Sequence, residues 1–214
     1  MAELPYSEED QVEQLKKWWK QNGSSIIFGV VLGLAIVGGY NYWQHYQKTQ
    51  AESASKLYET MMIAYGNGQA EKAQSIGATV MEDYSGTPYA AKAALYMARI
   101  SFDKKDVASA ERQLKWALDN AEDPATKHAA RLRLARVLLD SNKVVQASAL
   151  LSLNDFGGFE SEYKELEGDI ALKQNKPAEA RAAYERALQV LPKESGYQPL
   201  LKAKLDYALS QEKT

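Results

Sequence analysis

The stretch YKELEGDIALKQNKPAEARAAYERALQVLP, Tyr163 to Pro192, decides the fold. It reads as two short helical runs separated by the polar turn QNKP (174 to 177). Gly168, Ala171, Ala180, Tyr184 and Ala187 sit at spacings that suit two helices crossing closely, where small side chains are needed. Pro192 marks the end of the second run, because proline cannot continue a helix.

The same hairpin recurs upstream. Aligned on the alanine that follows each turn, Ala73, Ala110, Ala147 and Ala180 lie 37, 37 and 33 residues apart, near a helix-turn-helix period of about 34. In the last three units a small residue precedes that alanine by 12 positions (Ala98, Ala135, Gly168), so the extra residues belong in loops between units. The first unit reads as degenerate, with Met61 where a small residue is expected. Further turns fall at GNGQ (66 to 69), DKKD (103 to 106) and DSNK (140 to 143). Beyond Pro192, LLKAKLDYALSQ carries Leu200, Leu201, Leu205 and Leu209, which suit a helix capping the last unit. These spacings match the tetratricopeptide pattern. The expected fold is all-α: a single N-terminal transmembrane helix followed by a solenoid of helical hairpins over 44–214.

The transmembrane expectation rests on residues 24–43, a run of 20 without a charged side chain, which matches a hydrocarbon core about 30 Å thick. Trp18 and Trp19 before it and Tyr40, Tyr42, Trp43 and Tyr46 at its end place amphipathic rings where headgroups would lie. A signal peptide would need a short basic n-region and a small-residue cleavage site, whereas this run follows a long, partly acidic approach and leads into YNYWQHYQ. An uncleaved anchor is therefore expected. Lys16, Lys17 and Lys20 before the span against Lys48 and Lys56 after it favour an N-terminus inside.

Residues 1–23 are read as a cytoplasmic segment. Ser7 and Asp10 form a capping box, Val12, Leu15, Trp18 and Trp19 share a lipid-facing side, and Asn22-Gly23 breaks the helix from the span. Within the span Ser25, Gly29 and Gly33 form a small-xxx-small stripe that would let another membrane helix approach.

Lys and Arg number 26 against 28 Asp and Glu. Removing residues 1–47, with three lysines and five acids, leaves 23 of each sign, so no basic field for nucleic acid exists. Cysteine is absent, which excludes disulfides and thiolate chemistry. His45 and His128 have no HExxH-type partner, and no GxSxG, GxGxxG or GxxxxGK(S/T) occurs. Asp155-Phe156-Gly157 lacks the other kinase loops and reads as a loop with Asn154 and Gly158. Neither an enzyme nor a cofactor is expected.

A solenoid of this kind binds peptides or proteins on the concave surface lined by each unit's first helix. The register places Ser55, Tyr58, Met62 and Tyr65 there, then Lys92, Leu95, Arg99 and Phe102, then Leu132, Arg136 and Leu139, and finally Glu162, Glu165 and Asp169. The groove is expected to be aromatic and Met-rich first, cationic in the middle and acidic at its far end.

EEDQVEQLKKWWKQNG followed by IIFGVVLGLAIVGGYNYWQ, together with RLRLARVLL and GDIALKQNKPAEARAAYERAL, resembles the YfgM family of ancillary subunits of the bacterial SecYEG translocon. The resemblance implies a single-pass inner-membrane protein with a periplasmic solenoid, associated with SecYEG and with the periplasmic chaperone PpiD. It implies help in passing nascent or unfolded secreted proteins to periplasmic chaperones, with no catalytic residue. The alternative, motivated by the acidic SEED start, is a membrane-tethered regulator whose cytoplasmic N-terminal segment, residues 1–22, sequesters a soluble signalling protein.

Overall fold

The computed structural model describes residues 8–212. The described residues form helices α1 (Glu8–Gly66), α2 (Ala70–Asp83), α3 (Pro88–Asp103), α4 (Val107–Asn120), α5 (Pro124–Asp140), α6 (Val144–Ala149), α7 (Glu160–Lys173), α8 (Pro177–Val190) and α9 (Gln198–Gln211), with no strand among them. The chain divides into two compact units, the first ending at Thr49 and the second beginning at Gln50.

In the first unit the described residues are continuous helix. From Ile26 to Val37 apolar side chains are exposed on every side, as a helix surrounded by lipid requires, and α1 is long and apolar enough to cross a membrane. The expected break at Asn22-Gly23 does not occur. The Asn22 amide donates to the Trp18 carbonyl at 3.0 Å, one turn back, and the Trp19 ring folds over Gly23 within 3.3 Å of where a Cβ would stand. Both residues thus gain a local partner inside the helix instead of ending it. Ser7, half of the expected capping box and the first residue of the SEED start, lies outside the described residues.

The second unit is the hairpin array: residues 50–66 of α1 with α2, then α3 with α4, α5 with α6, and α7 with α8, followed by α9. Its period is written in the turns. Gly68, Lys105, Asn142 and Asn175 all have positive φ (58° to 73°), each five residues before its unit's alanine. In each turn the residue after the left-handed one donates its N–H to a carbonyl five residues back: Gln69 to Ala64, Asp106 to Ser101, Lys143 to Leu138 and Lys176 to Ala171. This Schellman closure satisfies the last carbonyls of the first helix and aims the chain into the second. Asp106 and Asp123 then cap α4 and α5 by accepting from Ser109 N and Thr126 N, and prolines 88, 124 and 177 occupy first turns where a missing N–H costs nothing.

The four alanines that set the register are all fully buried. The first unit keeps a large residue, Met61, where the others have a small one, and compensates on its second helix. A Cβ on Gly77 of α2 would stand 2.7 Å from the Met97 sulfur of α3 and 3.1 Å from the Met61 sulfur, so the small residue on the second helix leaves room for Met61 on the first and for Met97 from the next unit. In the last unit the order is reversed, since a Cβ on Gly168 of α7 would run into the Tyr184 ring of α8. The intervening units place Ala98 and Leu114, and Ala135 and Leu151, at the corresponding positions. Volume across the crossing is thus shared differently from unit to unit at close-packed density.

The third unit departs most from its neighbours. Helix α6 ends after six residues, and Leu151, Leu153, Phe156 and Phe159 from the segment that follows pack into the core instead. Gly157 and Gly158, both at positive φ, turn that segment back, so Asp155-Phe156-Gly157 is a loop. His128 is buried beneath it, with Nδ1 2.9 Å from the Tyr163 hydroxyl and its ring stacked on Phe159 at 5.3 Å. Helix α9 covers the last hairpin through Leu201, Leu205 and Ala208, while Leu200, expected to join them, faces solvent.

Candidate protein-binding groove

The first helices of the first three hairpins bring their side chains to one open cleft of about 460 Å³. Of the residues expected on the concave face, Tyr65 of α1, Leu95, Arg99 and Phe102 of α3, and Arg136 of α5 line it. Leu95 and Val137 form part of its apolar floor, and Leu114 of α4 lies behind them. Tyr96, Arg133, Val137 and Asp140 also line it and were missed by the sequence reading. On α5 the error is one residue of rotation: Leu132 and Leu139 are core, and the residues that line the cleft are 133, 136, 137 and 140, an i, i+3, i+4, i+7 face on which Val137 is the buried floor. The charges at 133 and 140 were the available signal.

Tyr58 extends the cleft into a tyrosine ladder. Ring centroids lie 5.7 Å apart for Tyr65 and Tyr96, 6.1 Å for Tyr96 and Tyr58, and 5.7 Å for Tyr58 and Tyr89, with the Lys92 ammonium 5.7 Å from the Tyr89 ring centre. Burial, reinforced by the neighbouring Tyr96 hydroxyl, pushes the Tyr58 hydroxyl up to about 12, so it stays a neutral donor in any physiological medium. Met62 is half-buried against the core of the first hairpin.

The cationic middle is present. Arg99 bonds Asp103 through Nε at 3.0 Å, an exposed pair on one helix that holds the guanidinium only weakly. Arg136 reaches the Glu165 carboxylate at 3.0 Å. Arg133 is exposed and has no carboxylate partner among the described residues.

The expected acidic far end is not available to a partner. Glu165 is buried, its oxygens bonded by Lys204 of α9 at 2.6 Å, Arg136 at 3.0 Å and the Tyr197 hydroxyl at 2.8 Å. Burial alone would raise its carboxyl, but the Lys204 ammonium, the Arg136 guanidinium and the Tyr197 hydroxyl outweigh it and hold the carboxyl below the usual range. Burial, reinforced by the same contact, raises the Tyr197 hydroxyl to about 12. Asp169 accepts from Lys204 at 2.7 Å and from the Tyr184 hydroxyl at 2.7 Å. Glu162 lies apart from all of these, in a separate hollow with the 154–161 segment and Pro192. Glu165 and Asp169 therefore fasten α9 in place, and the three acids do not form one binding end.

In the first unit, Gly29 and Gly33 face open space, with nothing within 4 Å of a Cβ built on either.

A family model described as a tetratricopeptide repeat-like domain matches residues 16–210. A Haemophilus influenzae protein named ancillary SecYEG translocon subunit is 33% identical over 184 residues, 85% of this chain and 89% of that protein. Proteins of the same name from Escherichia coli and Neisseria gonorrhoeae are each 29% identical, the first over 87% of this chain and 90% of its own length, the second over 93% and 96%.

Proposed function

The chain belongs to a tetratricopeptide repeat-like family, and with the Haemophilus influenzae protein named ancillary SecYEG translocon subunit it shares 33% identity over most of both chains; from that membership, we propose that it is a non-enzymatic translocon accessory of the bacterial inner membrane. In this reading residues 24–43 form a single span, residues 1–23 stay in the cytoplasm and residues 44–214 stand in the periplasm. The hairpin array binds newly translocated, still unfolded proteins or the periplasmic chaperone, PpiD-like, that receives them. The observation that carries this reading is that similarity runs from the approach to the span through α9, so anchor and array form one unit of descent. The open cleft supports a binding role, because an apolar floor with a polar, cationic rim suits extended segments of many sequences.

The membrane helix is itself part of the proposal. Ser25, Gly29 and Gly33 leave a face without bulk where a translocon helix could approach closely, backbone to backbone.

The test is in-membrane crosslinking followed by purification of the full chain in detergent. Translocon subunits and a membrane-anchored periplasmic chaperone are expected in the crosslinked material. Their absence at protein levels where known translocon subunits still crosslink to each other would remove the reading.

A further inference from the structure

We propose that the cleft between α1, α3 and α5 selects an extended peptide segment in which a large apolar or aromatic side chain stands next to a carboxylate. The inference rests on the protein-binding reading above and names the chemistry that the site prefers.

The floor and the rim ask for different things. Leu95, Phe102 and Val137 give an apolar bed within a cavity of about 460 Å³, large enough for one or two bulky side chains. Tyr65 and Tyr96 stand edge to face at its side, so an entering ring extends a stack that already exists.

The rim carries Arg99, Arg133 and Arg136 against the single acid Asp140. Asp103 holds Arg99 by Nε, and Glu165 holds Arg136, yet Arg133 has no carboxylate of its own among the described residues. Residues 48–214 balance 23 basic against 23 acidic side chains, so this excess is local and does not reflect a basic domain. A guanidinium at the edge of an apolar floor is partly dehydrated once a side chain covers the floor, and a carboxylate in fork geometry then restores its hydrogen bonds. A basic segment would meet three like charges at the same place, and a neutral one would leave the Arg133 donors to water alone.

The experiment uses the full chain in detergent micelles and three fluorescent peptides of equal length. Each carries alternating Phe and Leu, paired with Asp in the first, Asn in the second and Lys in the third. Anisotropy titration should give the Asp peptide the tightest binding, about tenfold over the Asn peptide, with the advantage shrinking as salt rises. Arg133→Glu, at an exposed position outside every ion pair among the described residues, should abolish that advantage and improve binding of the Lys peptide. Equal affinities, or a preference untouched by Arg133→Glu, would overturn the proposed selectivity and leave the groove a protein-binding site. No binding by any of the three would remove the groove reading together with the proposal.

Discussion

Gly168 and Tyr184 meet where α7 crosses α8, and the ring there has little freedom, because its hydroxyl is tied to Asp169 at 2.7 Å. A methyl group on residue 168 must displace that ring or separate the helices. Gly168→Ala should therefore cost about 2 kcal/mol, read as a lower melting temperature of the hairpin array. Gly77→Ala makes a useful control, since the atoms it meets are the flexible ends of Met97 and Met61, which can swing aside. Its cost should be less than half as large. The fully buried alanines and Gly168 were legible in the sequence because a close crossing tolerates few residue types and the period repeats them. Met61 misled because one side of a contact was read without its partner, and Gly77 lies 16 residues away on the next helix.

Among the elements, α9 shows most clearly what periodicity cannot convey. Its existence followed from its leucines, but its attachment depends on Lys204, 39 residues from Glu165, and no repeat announces that pair. For the same reason an acid that looked free at the end of a groove is a buried anchor point. Because the folded Glu165 carboxyl sits below the ordinary value of 4.5, the unfolded chain takes up a proton first as pH falls. The stabilisation is fully present above that value and is lost as pH drops through the folded one. Melting temperature should stay level from neutral pH to about 5 and decline below the ordinary carboxylate range. Glu165→Gln should lower stability at neutral pH by about 2 kcal/mol and flatten the acid decline, with α9 the segment whose amides lose protection. Helix α6 shows a second limit: turn signals at both ends of a unit do not reveal that its second helix stops after six residues and that a loop completes the core.

For the whole molecule, the sequence was most informative where physics imposes one requirement along a continuous run. Lipid demands apolar side chains on every side of a helix, and residues 26–37 meet that demand without a period to decode. It was least informative about the groove, where a one-residue rotation of α5 exchanged Leu132 for Arg133. If the membrane helix is a contact surface as well as an anchor, Gly29→Leu with Gly33→Leu should reduce translocon co-purification by up to about tenfold. The melting temperature of the hairpin array should not change, since neither glycine belongs to it. Within that array the apolar core comes as three clusters of unequal reach. Met81 and Trp116 pack against both of the larger ones, whereas Ala171, Ala180, Tyr184 and Ala208 form a small third cluster with Leu172 and Leu205. Transient opening therefore has a natural order, with the C-terminal pieces parting from a body that remains intact. A protease would trim this protein from its end inward, leaving the residues of the cleft among the last to be exposed.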